Sequence, residues 1–130
     1  LKQFGRPAMV ILTEGFGKGL GTAAYASYLG DTKFALAPAG NAPETIRFYD
    51  ALECGALPVV TQSSWLHDTN GIAALGPPPV VTLDHWRDLT AVGAATFDEE
   101  QRRQAVDWWQ RIKDLTATRA TDIIEAAFAA

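Results

Sequence analysis

Short apolar runs alternate with segments of helical periodicity along this chain. The apolar runs cover residues 8–13, 33–37, 57–61 and 80–83, and glycine, proline or polar residues bound them. A short continuous apolar run is typical of a strand that is buried on both faces of a parallel sheet. We therefore predict four strands, of which the last is short.

Helices are predicted near both ends of the chain. The first begins with Thr22 as its cap and ends before Gly30, a residue type that often terminates helices. A brief helix capped by Asp84 follows the fourth strand. The last helical segment covers about residues 98–128, where Asp98 is the predicted cap and apolar residues recur at helical spacing.

A further helix is predicted between the second and third strands, from about Pro43 to Cys54. Asn41 and Glu44 lie three positions apart and form a capping-box pattern at its start. Gly55 follows its predicted end. Strands that alternate with helices at such intervals indicate right-handed βαβ units. We expect an α/β fold over residues 1–130, a single Rossmann-like domain whose parallel sheet is flanked by helices.

Composition narrows the classes of function. The chain has 11 Lys and Arg against 15 Asp and Glu, a net charge of −4, which argues against binding to nucleic acid or to a membrane surface. One cysteine allows no internal disulfide. The histidines, His67 and His85, lack metal-ligand spacing to each other and to Cys54, so no metal site is expected. No apolar run approaches the length of a membrane helix, about 20 residues.

The segment over residues 34–60 carries the most specific pattern, FALAPAGNAPETIRFYDALECGALPVV. Its strand ends at Pro38, Gly40 allows close approach of the backbone to a bound group, and a helix then begins. The N-terminus of a helix favours phosphate, and the guanidinium of Arg47 can hold a diphosphate with two hydrogen bonds. Asp50 lies one turn further on the same face, where it can accept hydrogen bonds from two ribose hydroxyls. The alternative is that Arg47 and Asp50 form an ordinary surface ion pair.

The same segment resembles the C-terminal signature of exostosin-type (GT47-type) glycosyltransferases. That signature has a strand with F-x-L-x-P-x-G, then S/T-x-R-x-x-E/D-A-L, then G-x-x-P-V. The matching residues are Phe34, Leu36, Pro38, Gly40, Thr45, Arg47, Asp50, Ala51, Leu52, Gly55, Pro58 and Val59. The resemblance implies one half of a GT-B architecture, the half that holds a nucleotide-diphosphate sugar.

The resemblance implies four donor-binding residues: Gly40, Thr45, Arg47 and Asp50. Thr45 and Arg47 match positions near the donor phosphates, and Asp50 matches the acidic residue that holds the ribose, where glutamate is commoner. The second glutamate that many retaining GT-B enzymes carry seven residues earlier is absent. Further candidate donor contacts are Lys18, Asn41, Glu44 and Trp65.

The implied reaction is attack of an acceptor hydroxyl on the anomeric carbon of the sugar, with the nucleotide diphosphate leaving. No catalytic residue is assigned: the base would come from the N-terminal half of the same protein, and Glu14 and Glu44 are candidates by location alone.

The chain has no Asp-x-Asp motif, which favours a metal-independent enzyme without a cofactor. The expected partners are the donor, a glycan or other hydroxyl acceptor, and that N-terminal half. The expected compartment is the cytoplasm in a bacterium and the Golgi lumen for a eukaryotic exostosin-type protein.

The glycine-rich stretch over residues 15–21 matches neither a Walker A loop nor the G-x-G-x-x-G pattern. It follows a predicted strand and precedes a helix, so a phosphate-facing loop that uses Lys18 is one interpretation. A flexible surface turn is the other.

Three tryptophans and one cysteine require an assignment. Trp65 follows the third predicted strand, where it can stack on a base or sugar, although packing is the alternative. Trp108 and Trp109 are adjacent in the last helix, so we expect one to be buried and the other to cover a sheet edge or a partner domain. Cys54 is expected to pack as a small apolar residue beneath its helix.

A threonine-rich stretch at residues 116–118 is expected to bend or split the last helix.

Two other functions fit parts of the pattern. A non-catalytic exostosin-like module would have the same fold and act as the structural partner of an active copy. Aspartate in place of glutamate at position 50 is compatible with this function. A receiver-like or flavodoxin-type domain accounts for the alternating strands and helices but not for Arg47 and Asp50. A two-domain glycosyltransferase needs two to three times this length. We therefore expect the chain to be part of a longer protein and to transfer no sugar alone.

Overall fold

Three parallel strands form an open sheet in the part of the chain that the computed structural model describes, residues 18–90 and 97–129. The strands are β1 (Phe34–Leu36), β2 (Leu57–Thr61) and β3 (Val81–Leu83), in the order β1-β2-β3. The second, third and fourth predicted strands are confirmed. The first, at residues 8–13, lies outside the described residues.

Helices flank this sheet. They are α1 (Thr22–Gly30), α2 (Ile46–Glu53) and α3 (Glu99–Phe128), with short 3-10 helices at Ser64–His67 and Trp86–Asp88. Parallel strands with intervening helices form an α/β, Rossmann-like fold, as the sequence pattern predicts. None of the helices in the described ranges combines the length and the apolar character of a membrane span.

The central strand β2 is buried on both faces, and its register fixes the neighbouring elements. Leu57, Pro58, Val59 and Val60 are all buried. Phe34 of β1 pairs with Leu57, and Val81 of β3 pairs with Val59. A strand with apolar residues at consecutive positions needs cover on both faces, which explains why this run contains no polar alternation.

The start of α2 differs from the prediction. The helix begins at Ile46 with Thr45 as its N-cap, so Asn41 and Pro43 lie in the preceding loop. The Glu44 side chain accepts a hydrogen bond from the Tyr49 hydroxyl. It therefore does not accept from a backbone N–H, as a capping box would require. The end of α2 is as predicted: Gly55 follows it with φ of 77°, a conformation that favours glycine.

Two other helix starts also differ from the prediction. The cap of α1 is Gly21 rather than Thr22, which is the first residue inside the helix. The short helix after β3 is capped by His85 rather than Asp84, because the Asp88 carboxylate accepts a hydrogen bond from the His85 backbone N–H at 3.1 Å. Cys54 does not pack beneath α2; it is half-buried at the C-cap.

The last helix is continuous. Its predicted cap is confirmed, since Asp98 Oδ1 accepts hydrogen bonds from the backbone N–H groups of Glu100 and Gln101 at 2.9 and 3.3 Å. The alternative that residues 116–118 split the helix is wrong, because a single helix covers Glu99–Phe128. The hydroxyls of Thr116 and Thr118 donate to carbonyls one turn earlier, at 2.8 and 3.0 Å, so the threonines satisfy their polar groups within an unbroken helix.

The core lies where α2 and α3 pack on the sheet. Phe48, Leu52 and Leu57 are fully buried in it, together with Trp108 and Ile112 of α3. Burying one large apolar side chain contributes about 1.5–3 kcal/mol, so this cluster dominates the stability of the domain. Trp109 is half-buried, which confirms that the two adjacent tryptophans divide between core and surface.

Candidate functional site

The loop between β1 and α2 lies at the carboxyl edge of the sheet. It leaves β1 through Ala37, whose N–H donates to the Val59 carbonyl at 2.9 Å, and it ends at Thr45. Open α/β sheets bind ligands in the crevice beyond this edge. Gly40 and Asn41 lie in the loop and are exposed. A Cβ at Gly40 would contact only Thr45 Cγ2, at 3.9 Å, so the fold itself has room for a side chain there.

Thr45 carries an unusual polar group. It is the N-cap of α2, yet its hydroxyl makes no capping hydrogen bond. Its Oγ1 is buried, and within the described residues it has no hydrogen-bond partner. A buried polar atom without a partner costs about 1–3 kcal/mol.

Arg47 is the second residue of α2 and is exposed, and the half-buried Asp50 follows one turn later. In the described part of the chain these two residues form no ion pair with each other. The spacing alone allowed such a pair. The two side chains are therefore not an ordinary surface ion pair in this structure.

Tyr25 of α1 joins this pair, and the sequence pattern did not identify it. The pKa of its phenol is raised above the usual 10.0, first by burial and then by the nearby Asp50 carboxylate. Arg47 acts on the pKa in the opposite direction. Twenty-five positions separate Tyr25 from Asp50, and only the packing of α1 against α2 brings them together.

Glu44 lies on another side of α2, with Tyr49. The pKa of the Tyr49 phenol is raised well above its usual value, first by burial and then by its hydrogen bond to the Glu44 carboxylate and by that charge. The Tyr49 ring also packs against Trp109, with ring centroids 5.2 Å apart. The predicted donor contacts therefore divide between two sides of one helix.

A groove of about 500 Å³ opens on this second side, a volume in the range of small-molecule sites. Residues at the start of α2, in the second half of α3 and in the connection between β2 and β3 line it. Its lining residues are Glu44, Tyr49, Asn70, Gly71, Ile72, Ala74, Trp109, Ile112, Leu115, Thr116 and Arg119. Glu44 and Asn70 both follow strands at the carboxyl edge, so we call this space the carboxyl-edge groove.

A second cavity, of about 400 Å³, lies at the other end of α2, where Gly55 meets the start of α3. The ion pairs Arg102–Glu99 and Arg103–Glu100 line it. It is remote from the loop that carries the sequence signature, and none of the predicted donor contacts lines it.

The remaining predicted contacts are placed separately. Lys18 is exposed before α1, in the glycine-rich stretch. The ring of Trp65 packs edge-on against Phe48, with centroids 5.1 Å apart, so it contributes to the core. Glu14 lies outside the described residues. No group of three or more His, Cys, Asp or Glu side chains in residues 18–90 and 97–129 has the arrangement of a metal site.

Comparison with known proteins identifies a family. Residues 19–129 match the family described as the RXYLT1 C-terminal domain. No curated protein and no solved structure matches the chain significantly. The matched segment includes α1, the three described strands and all of α3, and this agrees with the resemblance to exostosin-type enzymes at the level of a glycosyltransferase-related domain. The chain belongs to the RXYLT1 C-terminal domain family.

Proposed function

We propose that this domain is the donor-binding half of a metal-independent GT-B-type glycosyltransferase. One observation carries the proposal: Thr45, Arg47 and Asp50 occupy the first turns of a helix that begins at the carboxyl edge of the sheet. The family match supports the reaction class, since it covers these residues.

The diphosphate of the donor would lie at the N-terminus of α2. The backbone N–H groups of the first turn have no acceptor within the helix, and they favour negative charge together with the helix dipole. The buried Thr45 Oγ1, which lacks a partner in the described residues, would donate to a phosphate oxygen. The exposed Arg47 would bind the diphosphate with two parallel hydrogen bonds. Gly40 leaves space for the donor to approach the backbone.

The ribose would lie beside Asp50. A carboxylate can accept hydrogen bonds from both ribose hydroxyls. The Tyr25 phenol, whose pKa the nearby Asp50 charge helps to raise, would lie beside the same sugar.

During transfer, a hydroxyl oxygen of the acceptor forms a bond to the anomeric carbon of the sugar. The bond from that carbon to the diphosphate oxygen breaks, and its electron pair leaves with the nucleoside diphosphate. The proton of the hydroxyl passes to a base on the other half of the enzyme. This domain would stabilise the charge that develops on the leaving diphosphate through Arg47 and the helix N-terminus, the role that a metal ion has in other glycosyltransferases.

Calorimetric titration of the chain with UDP, GDP and their sugars tests the proposal. We expect binding of one nucleotide diphosphate and at least a tenfold loss of affinity in Arg47→Ala, because a charge-assisted pair is lost. Arg111→Ala is the matched control, since Arg111 is exposed on the outer face of α3. No binding of any of these ligands at millimolar concentration would contradict the proposal.

A non-catalytic partner module is the second candidate. Aspartate at position 50, where glutamate is commoner in the family, favours it. Asp50→Ala in the complete protein distinguishes the two. Lost turnover with an intact fold supports donor binding, and unchanged turnover supports the module.

A further inference from the structure

The carboxyl-edge groove has a wall of two aromatic rings that are held in place. The centroids of the Tyr49 and Trp109 rings lie 5.2 Å apart, and the ring planes are at 39° to each other. The Tyr49 hydroxyl donates to the Glu44 carboxylate, and the Trp109 indole N–H donates to Glu53 Oε1 at 2.9 Å. A hydrogen bond therefore fixes each ring before any ligand binds, which reduces the cost of ordering the wall on binding.

The connection after β2 forms another side of the groove, and Asp68 holds it in a tight turn. Asp68 Oδ1 accepts a hydrogen bond from the Asn70 backbone N–H at 3.0 Å. The Asp68 carbonyl accepts from the N–H groups of Gly71 and Ala73 at 3.1 and 2.9 Å. A Cβ on Gly71 would lie 2.7 Å from Asp68 Oδ2, so a larger residue would displace the Asp68 side chain. This side of the groove is also formed in advance.

The polar groups of the lining keep capacity for further hydrogen bonds. Glu44 accepts one bond from Tyr49, whereas an ionised carboxylate has about four acceptor positions. Asn70 and Arg119 are exposed. Within residues 18–90 and 97–129, Asn70 donates through its backbone N–H and Arg119 forms no ion pair. The half-buried side chain of Leu115 adds apolar surface between these groups.

The charge and the chemistry of the lining indicate a class of ligand. Glu44 and Arg119 are its two charged residues, and their formal charges cancel. Such a lining suits an uncharged ligand better than a nucleotide diphosphate. A sugar ring has apolar C–H groups on its faces, which pack on aromatic and aliphatic side chains, and hydroxyls at its edge, which bond to carboxylate, amide and guanidinium groups.

The groove begins beside the proposed donor site but lies on a different side of α2. Glu44 immediately precedes Thr45, the N-cap of the helix, next to the position proposed for the diphosphate. Tyr49 lies two residues after Arg47, which places it about 160° away around the helix. Neither Arg47 nor Asp50 lines the groove. A donor and a second ligand can therefore bind together, one on each side of the helix start.

We propose that the carboxyl-edge groove binds a sugar ring of the acceptor glycan, close to the hydroxyl that attacks the donor. The proposal rests on the proposed function, which places the donor at the start of α2. Glu44, Asn70 and Arg119 bond to hydroxyls of the acceptor ring. Its C–H groups pack against the aromatic wall of Tyr49 and Trp109.

Proton–nitrogen correlation NMR spectra of this chain test the proposal, in titrations with the methyl glycosides of glucose, galactose, mannose and N-acetylglucosamine. We expect at least one glycoside to shift the signals of the Trp109 indole N–H and the Gly71 amide in a saturable manner, while the Arg47 amide signal does not move. Asn70→Ala and Arg119→Ala should each weaken this binding about three- to tenfold, since each removes a hydrogen bond. Both side chains are exposed, so neither change affects the core.

Arg111→Ala is the matched control, because it removes another exposed arginine of α3 that does not line the groove, and we expect it to bind the glycoside as the original chain does. No saturable shift with any of the four glycosides at high millimolar concentration would overturn the proposal. So would unchanged affinity in both Asn70→Ala and Arg119→Ala, because the glycoside would then bind elsewhere.

A competition experiment distinguishes the acceptor from the sugar of the donor. We expect the glycoside to stay bound when UDP, GDP or their sugars are added. Displacement by a nucleotide sugar, but not by UDP or GDP, would assign the groove to the donor sugar and overturn the proposal. The glycoside titration itself contains no nucleotide, so its failure is distinct from failure of the calorimetric test of the proposed function.

Discussion

The indole Nε1 of Trp109 donates a hydrogen bond to Glu53 Oε1 at 2.9 Å, and this bond connects the end of α2 to the middle of α3. Lys113 donates to both oxygens of the same carboxylate, at 2.9 and 3.0 Å. Its ammonium group also lies 5.6 Å from the centroid of the Trp109 ring. Glu53 therefore fixes the position of α3 beside the helix that carries Arg47 and Asp50.

Glu53→Gln should destabilise the domain slightly and remove part of its pH dependence. Hydrogen bonds from Lys113 and then Trp109 lower the pKa of Glu53 below the usual 4.5. This contribution is complete above pH 4.5 and is lost as the pH falls through the lower pKa of the folded state. Because the pair is well exposed, we expect a loss of about 0.5–1 kcal/mol near neutral pH. Urea unfolding at pH 7 and pH 3 measures it, and an equal difference at both pH values would contradict the assignment.

Trp108→Phe should cost much less stability than Trp108→Ala. Trp108 is buried in the core, and within the described residues its Nε1 has no hydrogen-bond partner. Phenylalanine removes this unpaired donor and keeps most of the packing, whereas alanine leaves a cavity that costs about 3–5 kcal/mol. Chemical denaturation of the two variants provides the comparison. Similar losses would mean that the indole N–H is paired in solution, for example with a buried water.

Thr45→Val should weaken ligand binding and leave the stability of the free protein almost unchanged. In the free protein, Oγ1 of Thr45 makes no capping bond and has no partner among the described residues. Replacing the hydroxyl with a methyl group should therefore leave the free energy of unfolding within about 1 kcal/mol of the original. Nucleotide-diphosphate affinity should fall, while Thr45→Ser should retain it. Calorimetry on both variants tests this. If Thr45→Val and Thr45→Ser bind the nucleotide diphosphate with equal affinity, the hydroxyl is not part of the site.

Two glycines in the same signature should respond differently to alanine. Gly55 has φ of 77°, and a Cβ there would lie 3.3 Å from Arg102 Nη1, so Gly55→Ala should cost about 1 kcal/mol or more. Gly40 has no positive φ, and a Cβ there would make an ordinary contact with Thr45 Cγ2 at 3.9 Å. Gly40→Ala should therefore preserve the thermal midpoint and weaken donor binding, because the proposed donor approaches the backbone at this position. A thermal shift of similar size in both variants would contradict this distinction.

The sequence determined the strand and helix types in the described residues because local patterns are sufficient for them. The position of β2 follows from the apolar run over residues 57–60, which Thr61 ends, and the end of α2 follows from Gly55, which adopts positive φ. The helix starts were less predictable. Several residues that can cap compete at each start, and side-chain contacts such as Tyr49 with Glu44 decide between them.

The candidate site, too, could be predicted only in part from the sequence. The sequence alone determined that Thr45, Arg47 and Asp50 share the start of one helix, since their spacing is local. Only the tertiary structure decided that Tyr25 joins Asp50 and that Glu44 faces a groove on another side of α2. Each of these relationships depends on how distant elements pack. Packing is set by the combined burial of many side chains, and no single stretch of sequence contains that information.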